Sequence, residues 1–295
     1  MPTRAVSERP AHSLRQDLLT NEARMVERRR ALGWLLAGGS AALVAACGGG
    51  TSSSDTRSTT GSASGSGGMG GTSSNACIAD PTETNGPYPS DGSNTVNGAV
   101  SNVLTESGIV RSDITSCFGG LTGTAAGVPL ALTLNVVNSN DNCAVLADYA
   151  VYIWHCTRDG LYSLYSAGAQ DQNFLRGVQV TDANGRITFT TIFPGCYSGR
   201  YPHVHFEVYP SLAMATNYSN RTLVSQMAMP AGICSAVYAG ASGYAGSATN
   251  FASISVGSDN VFGDNTAAQI AQQTPALSGS IEAGYTGTIL IGVPA

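Results

Sequence analysis

Two histidines separated by one residue, His203 and His205, are the first feature of the sequence that could do chemistry. On a β-strand, residues i and i+2 point to the same face, so both imidazoles would project together while Val204 faces the opposite, packed side. Neutral imidazole is a common metal ligand. The pair therefore supplies half of a metal site, although a His-x-His pair alone is as typical of a surface strand or a satisfied core strand.

A turn and a tyrosine precede these histidines. The sequence FPGCY at 193–197 leads through Arg200 into the His-x-His strand, and its Pro-Gly turn would bring Tyr197 back towards that strand. Fe³⁺ prefers anionic oxygen ligands, and coordination lowers the pKa of a phenol because the cation stabilises the phenolate. Tyr197 is thus a candidate ligand, while a lone tyrosine is usually an amphipathic packing residue.

Short β-branched and apolar runs between turn signals would position these side chains. The predicted strands cover residues 129–137, 149–155, 177–181, 187–191, 203–209 and 286–293, and a helix is predicted only at 220–229. Many short strands joined by Gly-rich turns indicate a sandwich. The predicted fold class is mainly β: an antiparallel β-sandwich with few short helices and long loops.

The first 76 residues predict an export signal followed by a flexible linker. Arginines at 28–30 precede an apolar stretch at 31–46 that suits a signal peptide and is short for a membrane span. It ends in the lipobox-like LVAAC, so residues 1–47 are predicted to be a signal peptide with lipid attached to Cys47, and the arginines resemble a twin-arginine (Tat) signal. Met25 is a candidate for the true start, and an ordinary apolar anchor helix is the alternative.

The prediction for the rest of the chain follows from composition. Residues 48–76 are almost wholly Gly, Ser and Thr, which predicts a disordered linker, and residues 77–295 are left as the folded domain. We expect a protein that is exported and anchored by lipid to a bacterial membrane, on its periplasmic or cell-surface side.

Charge and cysteine content narrow the function classes. After Cys47 the chain has seven basic and fifteen acidic side chains, a formal charge of −8, which argues against nucleic acid as a partner. The other six of the seven cysteines are an even number in an exported domain and are consistent with disulfides, whose pairing the sequence leaves open. No CxxC pair supports a zinc site.

Three separated motifs resemble those of the intradiol ring-cleavage dioxygenases, a family that includes catechol, hydroxyquinol and protocatechuate dioxygenases. The longest runs from Phe174 to Phe206 and contains FLRGVQ, TDANGRITFTTIFPGCY and RYPHVHF; the others are YIWH with DGLYS at 152–163 and TETNGPY at 82–88. They stand in the family's order within residues 77–295. Thr84 and Asn85 expand the family's Thr-Glu-Gly-Pro segment, which would reshape the substrate pocket.

The resemblance implies an enzyme that uses Fe(III) and O₂ to open a catechol-type ring between its two hydroxyl-bearing carbons, giving a muconate-type diacid. The implied iron ligands are Tyr162, Tyr197, His203 and His205. Tyr162 lies eight residues after Trp154, as in the family, and Tyr165 is a neighbour that could be mistaken for it.

The resemblance also implies three catalytic residues. The tyrosinate that matches Tyr197 leaves the iron when substrate binds and can take a proton. Arg200 matches an arginine beside the substrate and would stabilise developing negative charge. Gln226 matches a glutamine near the aromatic ring.

Two alternatives remain open from the sequence. A cupin-like metalloprotein could use His203, His205 and Glu207 with Fe²⁺ or Mn²⁺, and a lipid-tethered β-sandwich could be a binding module without catalysis. The expected partners are a small aromatic diol and O₂, with the membrane reached only through lipid on Cys47. The helical dimerisation region of catechol dioxygenases has no counterpart here, so a homo-oligomer is compatible with the sequence but not specified by it.

Overall fold

Strands dominate the computed structural model, which describes residues 77–295. The strands are β1 (Asp91–Val96), β2 (Ala99–Asn102), β3 (Pro129–Asn138), β4 (Ala144–Val145), β5 (Ala150–Trp154), β6 (Arg176–Val180), β7 (Arg186–Ile192), β8 (His203–Tyr209), β9 (Leu223–Ala228), β10 (Ala276–Ser280) and β11 (Gly284–Val293). Three short helices accompany them in this part of the chain: α1 (Ala231–Gly240), α2 (Ala245–Phe251) and α3 (Ala267–Gln272). The predicted signal peptide (1–47) and linker (48–76) lie outside the described residues.

The strands form two larger sheets and a hairpin. One sheet has the antiparallel order β6-β5-β8-β9. In the other, β10, β11 and β3 are neighbours, and β7 pairs with most of β3 while β4 pairs with its end. The pairing of β11 with β3 is parallel, whereas the other pairs of this sheet are antiparallel. Strands β1 and β2 form the hairpin. The mainly-β fold class is confirmed.

The main core lies between the two sheets. Leu130, Leu132 and Leu134 of β3 alternate with less buried residues and pack in one cluster with Val204 and Phe206 of β8. This alternation is what a strand with one apolar face produces. Because Val204 and Phe206 enter the core, His203 and His205 occupy the opposite face of β8, as the sequence predicted.

The helix predicted at 220–229 is wrong, because this segment contains strand β9. All six residues of β9 are buried, and its register with β8 places Met227 opposite Val204. Burial on both faces removes the polar positions that distinguish a strand from a helix by periodicity, so the pattern was ambiguous. The true helices lie further along the chain, in Ala- and Gly-rich sequence whose apolar pattern is weak.

The six cysteines of the described region are free thiols, so the structure does not contain the predicted disulfides. They are Cys77, Cys117, Cys143, Cys156, Cys196 and Cys234. The thiols of Cys156 and Cys196 instead donate to the carbonyls of Gly195 and Arg200, each at 3.5 Å. Among residues 77–295, no helix has the length and apolar character needed to cross a bilayer.

Candidate metal centre and active site

The two histidines are fixed by the strands on either side of β8. His205 lies opposite Trp154 of β5 and opposite Gln226 of β9, and residues paired across strands share a face of the sheet. The indole of Trp154 stacks on the imidazole of His205, with ring centroids 4.8 Å apart and an interplanar angle of 4°. The sheet therefore sets both the position and the ring orientation of His205.

Tyr162 reaches the histidines from the loop that follows β5. Its backbone N–H donates to the Ser166 hydroxyl at 2.9 Å, and its side chain is only 1% exposed. The neighbouring Tyr165 is engaged elsewhere, because its hydroxyl donates to Asn94 Oδ1 at 2.9 Å. The structure thus places the hydroxyl of Tyr162, and not that of Tyr165, beside the histidines.

Tyr197 comes from the loop after β7 and packs closely against a glycine. Gly160 has φ +83°, and a Cβ atom there would lie 2.9 Å from the Cβ of Tyr197. Helix α2 holds the other side of the loop, since the Cys196 N–H donates to Ser247 Oγ and Asn250 Nδ2 donates to the Cys196 carbonyl. A side chain at position 160 would displace Tyr197.

The structure brings all four predicted ligands together. The hydroxyls of Tyr162 and Tyr197 each lie 3.3 Å from His203 Nε2, and His205 Nε2 lies 3.0 Å from the same atom. Nitrogen and oxygen donors bind metal ions at about 2 Å, which places adjacent donors roughly 3 Å apart. The donor set therefore fits a single metal ion, and its phenol oxygens suit a hard cation such as Fe³⁺.

The tautomer of His203 also fits a metal ligand. Its Nδ1 lies 2.5 Å from the carbonyl oxygen of Tyr201, which can only accept a hydrogen bond. In a neutral ring the proton is then on Nδ1, and Nε2 presents a lone pair to the other donors. His205 Nδ1 has no hydrogen-bond partner within the described residues, so its Nε2 is the end that meets polar neighbours.

Burial keeps these four side chains uncharged when no cation is present. Burial, reinforced by the nearby Arg200 guanidinium, lowers the pKa of His203 to about 3, and burial lowers the pKa of His205 as well. Burial raises the pKa of both Tyr162 and Tyr197. The imidazoles are therefore ready to bind, while the phenols would ionise only where a bound cation stabilises the phenolates.

Arg200 and Gln226 form a buried network beside this cluster. Arg200 donates from its NH2 group to Gln226 Oε1 at 2.6 Å and from Nε to Asp259 Oδ2 at 2.9 Å. Burial alone would raise the pKa of Asp259, but the Arg200 guanidinium holds that pKa below its usual value. Asp259 was missed from the sequence because it lies far along the chain in a loop without a motif.

An N-terminal strap, defined here as residues 80–89, covers the site. Gln226 Nε2 donates to the Thr84 carbonyl at 2.8 Å. A Cβ atom on Gly86 would lie 3.1 Å from His205 Cε1, and the ring of Tyr88 lies 5.0 Å from that of Tyr162. The strap therefore forms a wall of the site, and the inserted Thr84 is part of its attachment.

The ligand set of the cupin-like alternative is not brought together in this way. Glu207 accepts hydrogen bonds from the Tyr209 hydroxyl at 2.6 Å and from Arg221 at 2.9 Å. Its carboxylate is thus occupied by a buried hydrogen-bond and ion-pair network. Within residues 77–295, no group of three His, Cys, Asp or Glu side chains is placed to hold a metal ion. The tyrosine-containing set is the one that the fold assembles.

A β-sandwich with two phenols and two imidazoles converging on one buried point is the arrangement that the sequence resemblance predicted. Residues 111–221 match the family model described as Dioxygenase. This match, which spans 111 of the 295 residues, supports the resemblance to the intradiol ring-cleavage dioxygenases and the enzymatic function that the sequence predicted. A comparison with curated protein sequences finds no significant match.

One solved structure supports the fold. The intradiol ring-cleavage dioxygenase of Tetranychus urticae is 24% identical, with 74% of this chain and 96% of that chain covered and a TM-score of 0.56. The 3-chlorocatechol 1,2-dioxygenase of Rhodococcus opacus 1CP is 18% identical, with 71% and 70% covered and a TM-score of 0.43. At these identities the first likeness supports a shared architecture.

Proposed function

We propose that this protein is an Fe(III)-dependent intradiol dioxygenase that cleaves a catechol-type ring with O₂ and releases a muconate-type diacid. The observation that carries the proposal is the approach of Tyr162, Tyr197 and His205 to within 3.0–3.3 Å of His203 Nε2 at a buried point. Two phenolates and two neutral imidazoles would leave a trivalent ion with one net positive charge. A catechol dianion that replaces one of the phenolates would make the site neutral.

The chain's own groups would perform the proton and charge steps. When bound, the ferric ion supplies Lewis acidity and makes the aromatic ring reactive towards O₂. Because burial raises the pKa of the Tyr197 phenol, a phenolate at this position is a strong base and takes the proton of a substrate hydroxyl at its Oη atom. Tyr162 and the two histidines then stay as the fixed donors.

Arg200 and Gln226 would hold the substrate and the charge that develops on it. Arg200 is 5% exposed and fixed by Asp259, so its guanidinium is preorganised and needs little rearrangement during the reaction. The strap over His205 reduces the access of water to the reacting ring. Fixed donors in a site with little water strengthen the electrostatic stabilisation of an anion.

An oxygen electrode with iron-loaded protein tests the proposal directly. We expect O₂ uptake with catechol, a product absorbance of the muconate type rather than that of extradiol cleavage, and a wine-red protein owing to tyrosinate bound to ferric iron. A colourless protein that is active with Fe²⁺ or Mn²⁺ would support the cupin-like alternative. A folded protein that binds a catechol without O₂ uptake would support the non-catalytic binding module.

Two tyrosine variants test the role of Tyr197: one removes its hydroxyl, and the matched control removes a hydroxyl outside the proposed ligand set. Tyr197→Phe removes the proposed ligand and base, and we expect kcat for catechol to fall at least about 100-fold, in line with the loss of a general base. Tyr165→Phe removes a hydroxyl that is bonded to Asn94 away from the ligands, and we expect activity within about twofold of wild type. Unchanged O₂ uptake in Tyr197→Phe would refute the assignment.

We also propose that the enzyme is exported and held at a membrane by lipid on Cys47. The support is the arrangement of arginines, apolar stretch and LVAAC sequence before the Gly/Ser/Thr-rich segment. Labelling of expressing bacteria with a radioactive fatty acid tests it: wild type should carry label in the membrane fraction, and Cys47→Ala should not. Equal labelling of the two proteins would contradict the proposal.

A further inference from the structure

Arg176 has a fully buried guanidinium, and all of its N–H donors make hydrogen bonds. Its side chain is 1% exposed, and each of its five N–H groups meets an oxygen atom at 2.9–3.1 Å. The acceptors are Ser163 Oγ, the carbonyls of Ser163, Tyr88 and Pro89, and the Tyr152 hydroxyl. Every one of these acceptors is an uncharged oxygen.

Such an arrangement carries a high desolvation cost. Moving an ion out of water costs several kcal/mol even after the surroundings relax, and here no carboxylate takes part in the hydrogen bonds that offset it. The compensation comes from the planar fork, which meets five fixed acceptors at once, from the Tyr165 ring 5.4 Å from the guanidinium carbon, and from the charge of the nearby Glu106. Lysine, with three donors on a flexible stem, could not reproduce this pattern.

The five acceptors belong to three segments that meet at the proposed active site. Tyr88 and Pro89 lie in the strap, Ser163 follows the ligand Tyr162, and Tyr152 lies in β5. The Tyr152 hydroxyl also donates to the Pro89 carbonyl at 2.8 Å, which closes a ring of hydrogen bonds around the guanidinium. The ring of Tyr88 is in contact distance of both Tyr162 and Tyr165, with centroids 5.0 and 5.2 Å away.

We propose that Arg176 is a positioning residue for the ring-cleavage reaction, which fixes the strap wall at Tyr88 relative to the ligand Tyr162. This inference rests on the proposed function. Arg176 acts through its neighbours: its donors hold the strap carbonyls on one side and the backbone of the ligand loop on the other. The width of the site between Tyr88 and Tyr162 is therefore set by one guanidinium, and a change of fork geometry alters that width while the four ligands stay in place.

The test compares Arg176→Lys, which keeps the charge and loses the fork, with Arg186→Gln as a control. Arg186 lies at the exposed start of β7 and pairs with Asp182 at the surface. In iron-loaded Arg176→Lys we expect full iron content, a shifted tyrosinate-to-iron absorption band, and a kcat/KM for catechol about 100-fold lower, the scale expected for a misplacement of about 1 Å. Arg186→Gln should match wild type within about twofold.

Hydrogen exchange of the metal-free protein gives a readout that does not need activity. The amides of the strap should exchange at least tenfold faster in Arg176→Lys than in wild type, while the amides of β3 keep their protection. If Arg176→Lys does not fold, Tyr152→Phe replaces it. This variant removes one acceptor and the donor to Pro89, and we expect smaller changes of the same kind: kcat/KM about tenfold lower and strap exchange about threefold faster.

The outcomes separate the two proposals. A wild-type protein that binds no iron and consumes no O₂ refutes the proposed function, whereas the strap exchange still decides whether Arg176 holds the wall. An active wild type whose folded Arg176→Lys or Tyr152→Phe variant keeps the absorption band, the kcat/KM and the strap protection of wild type overturns the positioning role. A loss of thermal stability alone, with band and kcat/KM unchanged, also overturns it, because a merely structural residue gives that result.

Discussion

Adding one methyl group at Gly86 tests whether the strap and the histidines form one packed site. Gly86 has φ +68°, and a Cβ atom there would lie 3.1 Å from His205 Cε1. His205 cannot move away freely, because the indole of Trp154 is stacked on its ring. Gly86→Ala therefore has to push the strap away from the site or rotate a proposed ligand.

The size of the effect follows from two contributions. A left-handed backbone costs an L-residue about 1–2 kcal/mol, and overpacking a closely packed site adds roughly 1–3 kcal/mol. Gly98 is a matched control, since it has φ +83° in the β1–β2 hairpin and nothing within 4 Å of its hypothetical Cβ atom. Gly98→Ala should lose only the backbone contribution, so the difference between the two variants isolates the contact with His205.

Urea unfolding and iron titration measure this difference. We expect Gly86→Ala to lose about 1–3 kcal/mol more of the free energy of unfolding than Gly98→Ala, which corresponds to a melting temperature lower by roughly 2–4 °C per kcal/mol. We also expect weaker ferric iron binding in Gly86→Ala only. Equal losses of stability together with equal iron binding would refute the view that the strap packs on the ligand His205.

Three further predictions test the remaining parts of the site. Asp259→Asn leaves the buried Arg200 without its ionic partner, so the free energy of unfolding should fall by up to about 3–5 kcal/mol and kcat/KM should fall with it; unchanged values in urea unfolding and O₂ uptake would contradict the role of the pair. Tyr162→Phe removes an anionic donor and should abolish stoichiometric ferric iron binding by titration, and full binding would contradict its assignment as a ligand. Burial raises the pKa of Asp80 from 3.8 to about 7, so the folded state keeps a proton that the unfolded chain has already released, and stability falls progressively from about pH 4 to pH 7. Between about pH 5 and pH 8, wild type should lose on the order of 3 kcal/mol of unfolding free energy relative to Asp80→Asn, and parallel pH profiles in urea unfolding would refute this.

The four proposed ligands could be selected from the sequence because short local motifs contain them. The i, i+2 pair at His203 and His205 needs only a strand to share a face, and the structure has that strand. Tyr162 and Tyr197 could be chosen because motifs surround them, although neither has a periodic signal of its own. Periodicity failed at β9, where both faces are buried and no polar position marks the strand.

The parts that hold the ligands were not predictable, because they depend on contacts between distant segments. Asp259 meets Arg200 across 59 positions of sequence, and it lies in a loop with no motif. Arg176 was visible within a motif, yet its five acceptors come from segments that only the fold brings together. A single sequence identifies residue types suited to chemistry more readily than the hydrogen bonds that orient them.

The position of the site on the sandwich explains why the histidines, but not the groups that cover and orient them, could be predicted from the sequence. The face of β8 that bears Val204 packs into the core between the two sheets, so the histidines necessarily lie on the outer face of the sheet. An outer face has no second sheet to bury it, and the 2% exposure of both His203 and His205 is achieved by loops and by the strap instead. Irregular segments such as the one containing Thr84 and Gly86 can change length without disturbing the strands. The face that bears the four proposed ligands is therefore fixed by the sandwich, while the wall over that face is formed by the strap, which we propose Arg176 holds in place.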